Sequence, residues 1–251
     1  ASLDFDNVAA GATGTIVDDT TGTKATINGA AAVATSKDGT AAVRLGSGFW
    51  LNVTKSDDSA VLKGLDAVTI SYDSKSVSTN QGWSVFAAPN TNAQTYQQEH
   101  YLGVMDRTTS VNVERYNNAG KRDTTGNVSK DGLASQWRHV DLVIDEAASM
   151  LYIDGEQAAT VAPADGASFA QLTDILGADG GVLQIGKANW SNGEYFSGLL
   201  DNLKIWGKAL SDDELGVESA KTDYAAALAI PAQITGDLPS TVLGKTVTWS
   251  A

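Results

Sequence analysis

The segment from Asp66 to Lys75 alternates strictly: Val68, Ile70 and Tyr72 share one parity, and Thr69, Ser71 and Asp73 share the other. Side chains of an extended chain point alternately to opposite faces, so this pattern predicts a strand half-buried against a core. Similar β-prone runs recur at 40–45, 49–53, 82–88, 100–105, 110–116, 137–145, 150–156, 182–186 and 198–206. Between them lie turn signals such as Asp38-Gly39, Pro89-Asn90 and Asp154-Gly155. Many short strands, many turns and few helical heptads predict an all-β fold, a two-sheet antiparallel sandwich.

The chain has 251 residues, enough for one large β domain that buries roughly 70–75% of its unfolded surface. Cysteine is absent, so no disulfide and no cysteine-based zinc site can form. Asp and Glu number 30 against 17 Lys and Arg, a net charge of −13. That balance argues against nucleic acid and against an anionic membrane surface, and favours neutral ligands and divalent cations. No apolar run approaches the ~20 residues of a membrane span.

The closing run, Gly198-Leu199-Leu200-Asp201-Asn202-Leu203-Lys204-Ile205-Trp206, reads as a strand, and Ser211-Asp212-Asp213-Glu214 reads as the cap of a helix. Leu199, Leu203 and Ile205 share a parity with Asp201. A carboxylate on an inward face needs a partner, because burying a bare charge is expensive. Two readings stay open: an Asp held by backbone N–H groups at a sheet edge, or a metal ligand.

Four motifs stand in order: Trp137-Arg138-His139-Val140-Asp141-Leu142-Val143-Ile144-Asp145, Leu151-Tyr152-Ile153-Asp154-Gly155, Leu183-Gln184-Ile185-Gly186 and Gly198-Leu199-Leu200-Asp201. With the helix start at Ser211–Glu214, this order resembles the laminin-G-like, concanavalin A-like jelly rolls of bacterial modular glycoside hydrolases, over about Leu3 to Leu215. The resemblance implies a jelly roll over 1–215. An alanine-rich helical linker is expected over 216–227. Residues 228–251 resemble the opening of a bacterial immunoglobulin-like domain. An immunoglobulin-like domain takes about 100 residues, so the expectation is a piece of a larger, modular protein, secreted or at the bacterial cell surface.

In the family so resembled, a structural Ca²⁺ often ties the N-terminal Asp region to the Asp of the closing strand. Carried to this chain, the candidates are Asp4 or Asp6, Asp19 with the backbone of 20–22, and Asp201. Oxygen-only ligands suit a hard cation. The alternative is a set of ordinary turn aspartates.

Neutral sugars are held by aromatic faces together with polar groups that bond hydroxyls. The densest such cluster joins Glu99, His100 and Tyr101 to Glu114, Arg115, Tyr116 and Asn117, with Trp83 on a neighbouring strand. Trp190 and Asn192 form a second aromatic and amide-rich loop. Trp50, Trp137, Trp206 and Trp249 sit in apolar strand contexts and are expected in the core. The Glu-x-Asp-x-x-Glu strand of related glycanases is absent, as are a nucleophile elbow, a P-loop and a dinucleotide fingerprint. The aromatic and polar cluster points to a non-catalytic, lectin-like carbohydrate-binding module, and the resemblance implies that it is tied in one chain to a glycoside hydrolase domain, acting on arabinose- or galactose-containing glycans. The alternatives are a structural or adhesive spacer without a sugar site, and a glycosidase with an unrecognised carboxylate pair.

Overall fold

The computed structural model describes residues 1–18, 20–30, 32–89, 100–116, 122–124, 128–129, 136–162, 172–189, 194–216, 218, 241–242 and 245–246. The chain forms two compact units, Ala1–Ala209 and Leu210–Ala251.

The first unit opens with β1 (Ser2–Leu3), β2 (Gly14–Val17), β3 (Lys24–Asn28), β4 (Ala32–Thr35), β5 (Ala41–Leu45) and β6 (Trp50–Thr54). Its centre holds β7 (Val68–Ser76), β8 (Trp83–Ala88), β9 (Tyr101–Asp106), β10 (Ser110–Tyr116), β11 (Arg122–Thr124) and β12 (Val128–Ser129). It closes with β13 (Arg138–Ile144), β14 (Ser149–Ile153), β15 (Glu156–Val161), the short helix α1 (Leu172–Leu176), β16 (Val182–Ile185) and β17 (Gly198–Trp206). One eight-stranded sheet runs β15-β14-β13-β7-β17-β5-β4, with β1 also on β17. A nine-stranded sheet runs β11-β10-β9-β8-β16-β6-β3-β2, with β12 also on β10. The strand pairs in both sheets are antiparallel. Neighbours in space are distant in sequence, as in β7 beside β17, which is the jelly-roll crossover expected from the sequence.

The alternation does what it predicted. Val68, Ile70 and Tyr72 of β7 and Val140, Leu142 and Ile144 of β13 join one core with Val85, Ala87, Leu102, Val104, Val111 and Val113 of the other sheet. Each such side chain contributes about 1.5–3 kcal/mol relative to exposure. The Asp154-Gly155 dipeptide makes the turn between β14 and β15, with φ of 54° and 78°, the primed geometry that matches strand twist.

Three buried polar contacts tie the two sheets together. Arg138 Nη2 meets Asp106 Oδ1 at 2.8 Å with both side chains sealed from solvent, and also donates to Arg107 O at 2.8 Å. Ser74 Oγ donates to Asp106 Oδ2 at 2.6 Å. Tyr72 Oη and Ser84 Oγ lie 2.8 Å apart, and burial drives the Tyr72 phenol well above its ordinary pKa.

One expectation changes at β17. The register against β7 shifts between Asp201 and Lys204, and Asn202 takes a left-handed φ of 51°. This bulge switches the parity, so the core-facing set is Leu200, Leu203 and Ile205 rather than Leu199, Leu203 and Ile205. Asp201 thereby leaves the inward face and shares Leu199's side.

In the second unit, residues 212–216 are helical. Ser211 N donates to Glu214 Oε2 at 3.0 Å and Glu214 N faces Ser211 Oγ at 3.4 Å, the reciprocal cap legible in the sequence. Beyond it, β18 (Thr241–Val242) and β19 (Lys245–Thr246) pair antiparallel. The linker expected over 216–227 and the module expected over 228–251 otherwise lie outside the described residues.

Candidate functional site

On β8, β9 and β10 the face opposite the core carries Phe86, Tyr101, Met105 and Tyr116, and a register shift between Trp83 and Val85 turns Trp83 onto it as well; these residues form a second apolar cluster. The cross-strand pair Tyr101–Tyr116 is stacked, with ring centroids 5.6 Å apart and planes 9° from parallel. Phe86 stacks on the other side of Tyr101 at 5.3 Å, and Trp83 meets both Phe86 and Tyr101 edge-on. Gly103 makes this possible: a Cβ there would stand 2.7 Å from the Trp83 ring and 2.6 Å from Val85 O.

Polar groups hold the rings in place. Tyr101 Oη donates to Glu114 Oε2 at 2.8 Å, and Asn112 Nδ2 donates to Glu114 Oε1 at 3.2 Å. Thr124 Oγ1 donates to Asn112 Oδ1 at 2.7 Å. Trp83 Nε1 donates to Glu194 Oε2 at 2.8 Å. The structure thus brings Trp83, Tyr101, Glu114 and Tyr116 onto one face, as the sequence suggested. His100 is half-buried at the entrance to β9. Glu99, Asn117, Trp190 and Asn192 lie outside the described residues.

Arg115 does not join them. Its neighbour Glu114 points outward, so alternation sends Arg115 inward, where it is 1% exposed and donates from Nη1 to Asp145 O at 2.8 Å.

The same outer face continues across β16 and β6. Trp50 is half-buried there, with Tyr195 at 5.8 Å and the Lys187 ammonium 4.7 Å from the Trp50 ring centroid. Gln184 Nε2 donates to Asn52 Oδ1 at 3.2 Å. A parallel bridge between Trp83 and Tyr195 links this corner to the tyrosine stack. Sequence reading missed this corner: Phe49 and Leu51 made Trp50 look like core, but their own burial sends Trp50 to the opposite face. Trp137 and Trp206 are likewise half-buried rather than core, and Trp249 lies outside the described residues.

The outer face of the eight-stranded sheet carries a different cluster. His139 Nδ1 lies 2.9 Å from Asp73 Oδ1, and His139 Nε2 lies 2.9 Å from Ser71 Oγ and 3.2 Å from Asp141 Oδ1. Asn202 Nδ2 donates to Asp73 Oδ2 at 3.0 Å. The Ser–His–Asp order looks like that of a hydrolase, but the electrostatics differ. Burial opposes the charged imidazole, yet the bonds and charges of Asp141 and Asp73 outweigh it and carry its pKa up to about 9. A protonated imidazole is no general base, and the Ser71 hydroxyl already donates to Asp141 Oδ1 at 2.5 Å. The cluster is an ion-paired tie across β7, β13 and β17.

Asp201 lies directly across from Asp73. It is 1% exposed, and neither carboxylate oxygen has a hydrogen-bond partner. Burial first, and then the charges of Asp38, Asp6 and Asp73, push its pKa up to about 7. Of the other aspartates singled out by sequence, Asp4 and Asp6 are exposed, on the side opposite the core residues Leu3 and Phe5. Asp19 lies outside the described residues. Its neighbour Asp18 is a turn aspartate: despite partial burial, bonds from Thr21 Oγ1, Ser2 N and Thr20 N hold its pKa at about 2. Among the described residues no three acidic or histidine side chains gather into a metal-binding group. No helix among them is long and apolar enough to cross a membrane. A cleft of about 620 Å³ beside β1–β3, lined by Asp4, Asn7, Val8 and Ile16 among others, includes no aromatic ring.

Two antiparallel sheets in jelly-roll order, with an aromatic and polar outer face, define a concanavalin A-like sandwich. The family profile agrees: residues 51–216 match the Concanavalin A-like lectin/glucanases superfamily, and the chain belongs to it. A search of curated proteins gives no match. Among solved structures, the chain is similar to domain 4 of AbnA, a GH43 extracellular arabinanase from Geobacillus stearothermophilus, in complex with arabinotriose. The identity is 17%, covering 86% of this chain and 95% of that one, with a TM-score of 0.61. It is also similar to the binding domain of Paraclostridial Mosquitocidal Protein 1, at 14% identity, with 88% and 51% covered and a TM-score of 0.60. The botulinum neurotoxin type C structure, whose cell entry depends on two ganglioside molecules, matches at 12% identity, with 88% and 50% covered and a TM-score of 0.60. The chain spans about half the length of these two toxin chains.

Proposed function

We propose that this chain is a lectin-like module that binds carbohydrate without cleaving it. The observation that carries the reading is the Tyr101–Tyr116 stack with Glu114 and Asn112 at its edge. A half-buried Tyr116 ring offers an apolar face to a sugar ring, and the buried Glu114 and Asn112 groups fix the orientation of the tyrosine stack beneath it. The similarity to an arabinanase domain solved with arabinotriose supports the ligand class. In this reading the module belongs to a secreted bacterial glycoside hydrolase and tethers it to arabinose- or galactose-containing glycans. Modest affinity suffices, because tethering raises effective concentration.

The same reading includes a structural Ca²⁺ near Asp201. The orphaned, buried carboxylate oxygens of Asp201 fit a hard cation, and Asp6 supplies a second carboxylate from the N-terminal segment. Such an ion would neutralise charge between β17 and the chain start, and takes no part in chemistry.

The test is a glycan array probed with the full chain and with Tyr116→Ala and Glu114→Gln. Arabinose- or galactose-containing glycans bind the parent and lose signal with either variant. Absence of binding to every glycan, or binding indifferent to both variants, would sink the proposal.

A further inference from the structure

The Trp50 corner is chemically unlike the tyrosine stack. Lys187 holds its ammonium 4.7 Å from the Trp50 ring centroid and 5.9 Å from that of Tyr195. Among the described residues no carboxylate lies within ion-pair distance of it. Glu194, next in sequence to Tyr195, accepts from Trp83 Nε1 through Oε2 instead. Partial burial lowers the Lys187 pKa, as expected of a cation that has given up part of its water without gaining an anion.

Two further groups nearby are unsatisfied. Trp50 Nε1 is a buried donor with no acceptor, and Gln184 Oε1 is a buried acceptor with no donor. Buried polar atoms without partners are uncommon and call for an explanation. Asn52, bonded to Gln184, sits one step along the same face as Trp50. An ammonium and an indole N–H set against two aromatic rings are donors waiting for an acceptor, and a charged acceptor satisfies both best. A neutral hydroxyl would leave the ammonium uncompensated.

We infer that Lys187 and the Trp50 indole N–H form a subsite for an anionic substituent, carboxylate or sulfate, on a sugar ring packed against Trp50 and Tyr195. Gln184 Oε1 accepts from a hydroxyl of the same sugar. The inference rests on the carbohydrate-binding reading and sharpens it: in a chain of net charge −13, this corner is locally selective for an acidic residue within the glycan.

Calorimetric titration of the full chain with trigalacturonate, a sulfated galactotriose and neutral galactotriose tests it. At least one acidic trisaccharide binds about tenfold more tightly than the neutral one, the worth of a charge-assisted hydrogen bond. The identity of the tighter ligand separates carboxylate from sulfate. Lys187→Gln brings the acidic and neutral affinities together, Lys187→Arg retains the difference, and Trp50→Phe, which keeps a ring and removes the donor, narrows it. The difference also shrinks as salt is raised. If neutral galactotriose binds as well as both acidic sugars, or Lys187→Gln leaves the difference intact, the subsite is overturned while carbohydrate binding stands. If none of the three sugars binds, the subsite falls, and arabinotriose in the same titration decides whether carbohydrate binding falls with it.

Discussion

Asp201 and Asp73 face each other across adjacent strands, two carboxylates on one side of the sheet, yet only one is compensated. Asp73 accepts from His139 and Asn202, whereas both oxygens of Asp201 are unpaired. Like charges directly opposite in a ladder are destabilising.

This asymmetry predicts a metal-linked stability. Millimolar Ca²⁺ raises the melting temperature of chelator-treated protein by several degrees, as mass action requires of a ligand bound to the folded state. Asp201→Asn raises the metal-free melting temperature and removes the response. Differential scanning calorimetry decides it: a melting temperature indifferent to Ca²⁺ in the parent chain removes the ion from the account.

His139 gives a pH dependence with a defined sign. Its pKa is raised from 6.5 to about 9 on folding, so its stabilisation is fully present below about pH 6.5 and is lost as pH rises through about 9. The size is on the order of 3 kcal/mol, the worth of a shift of that extent. Urea titrations from pH 6 to pH 10 show this fall in the parent chain. The His139→Asn variant is less stable at pH 6 and its curve lacks that component. Parallel curves for the two proteins would refute the ion-paired tie.

The sealed Arg138–Asp106 pair predicts an asymmetric response to mutation. Removing one partner, as in Asp106→Asn or Arg138→Met, leaves a charge buried and costs about 3–5 kcal/mol. The double variant recovers a large part of that loss. Chemical denaturation measures all three, and additive losses would show that the pair is not a unit.

How much of this was legible in the sequence depends on whether alternation alone settled it. The strands around Val68–Ser76, Ser110–Tyr116 and Arg138–Ile144 announce themselves because one face is apolar. The turn at Asp154-Gly155 and the cap at Ser211–Glu214 are local chemistry, and both form as read. Parity alone places Arg115 inward, whereas the shared polarity of Glu114-Arg115-Tyr116 suggests one common face. Asp201 could not be placed, because the bulge at Asn202 is set by pairing between β7 and β17, not by any local residue signal. The Trp50 corner was hidden for a related reason. Lys187, Tyr195 and Trp50 are brought together by β6 and β16, which lie far apart in the chain.

Gly103 ties the fold to the site. A methyl group there collides with the Trp83 ring and with Val85 O, so Gly103→Ala destabilises by about 1–3 kcal/mol, as overpacking does. It also displaces Trp83, changing the tryptophan near-ultraviolet circular dichroism. A variant with parent-like stability and an unchanged spectrum would show that the contact is not tight.

On the proposed reading, the Tyr101–Tyr116 face holds sugar. Isothermal titration of the full chain with arabinotriose or with a galactose-containing trisaccharide, against the Tyr116→Ala variant, tests it most directly. The parent binds at least one trisaccharide saturably and the variant binds it about tenfold more weakly, the loss expected for one aromatic face. Equal affinity in the two proteins, or no heat of binding with either sugar, would contradict it.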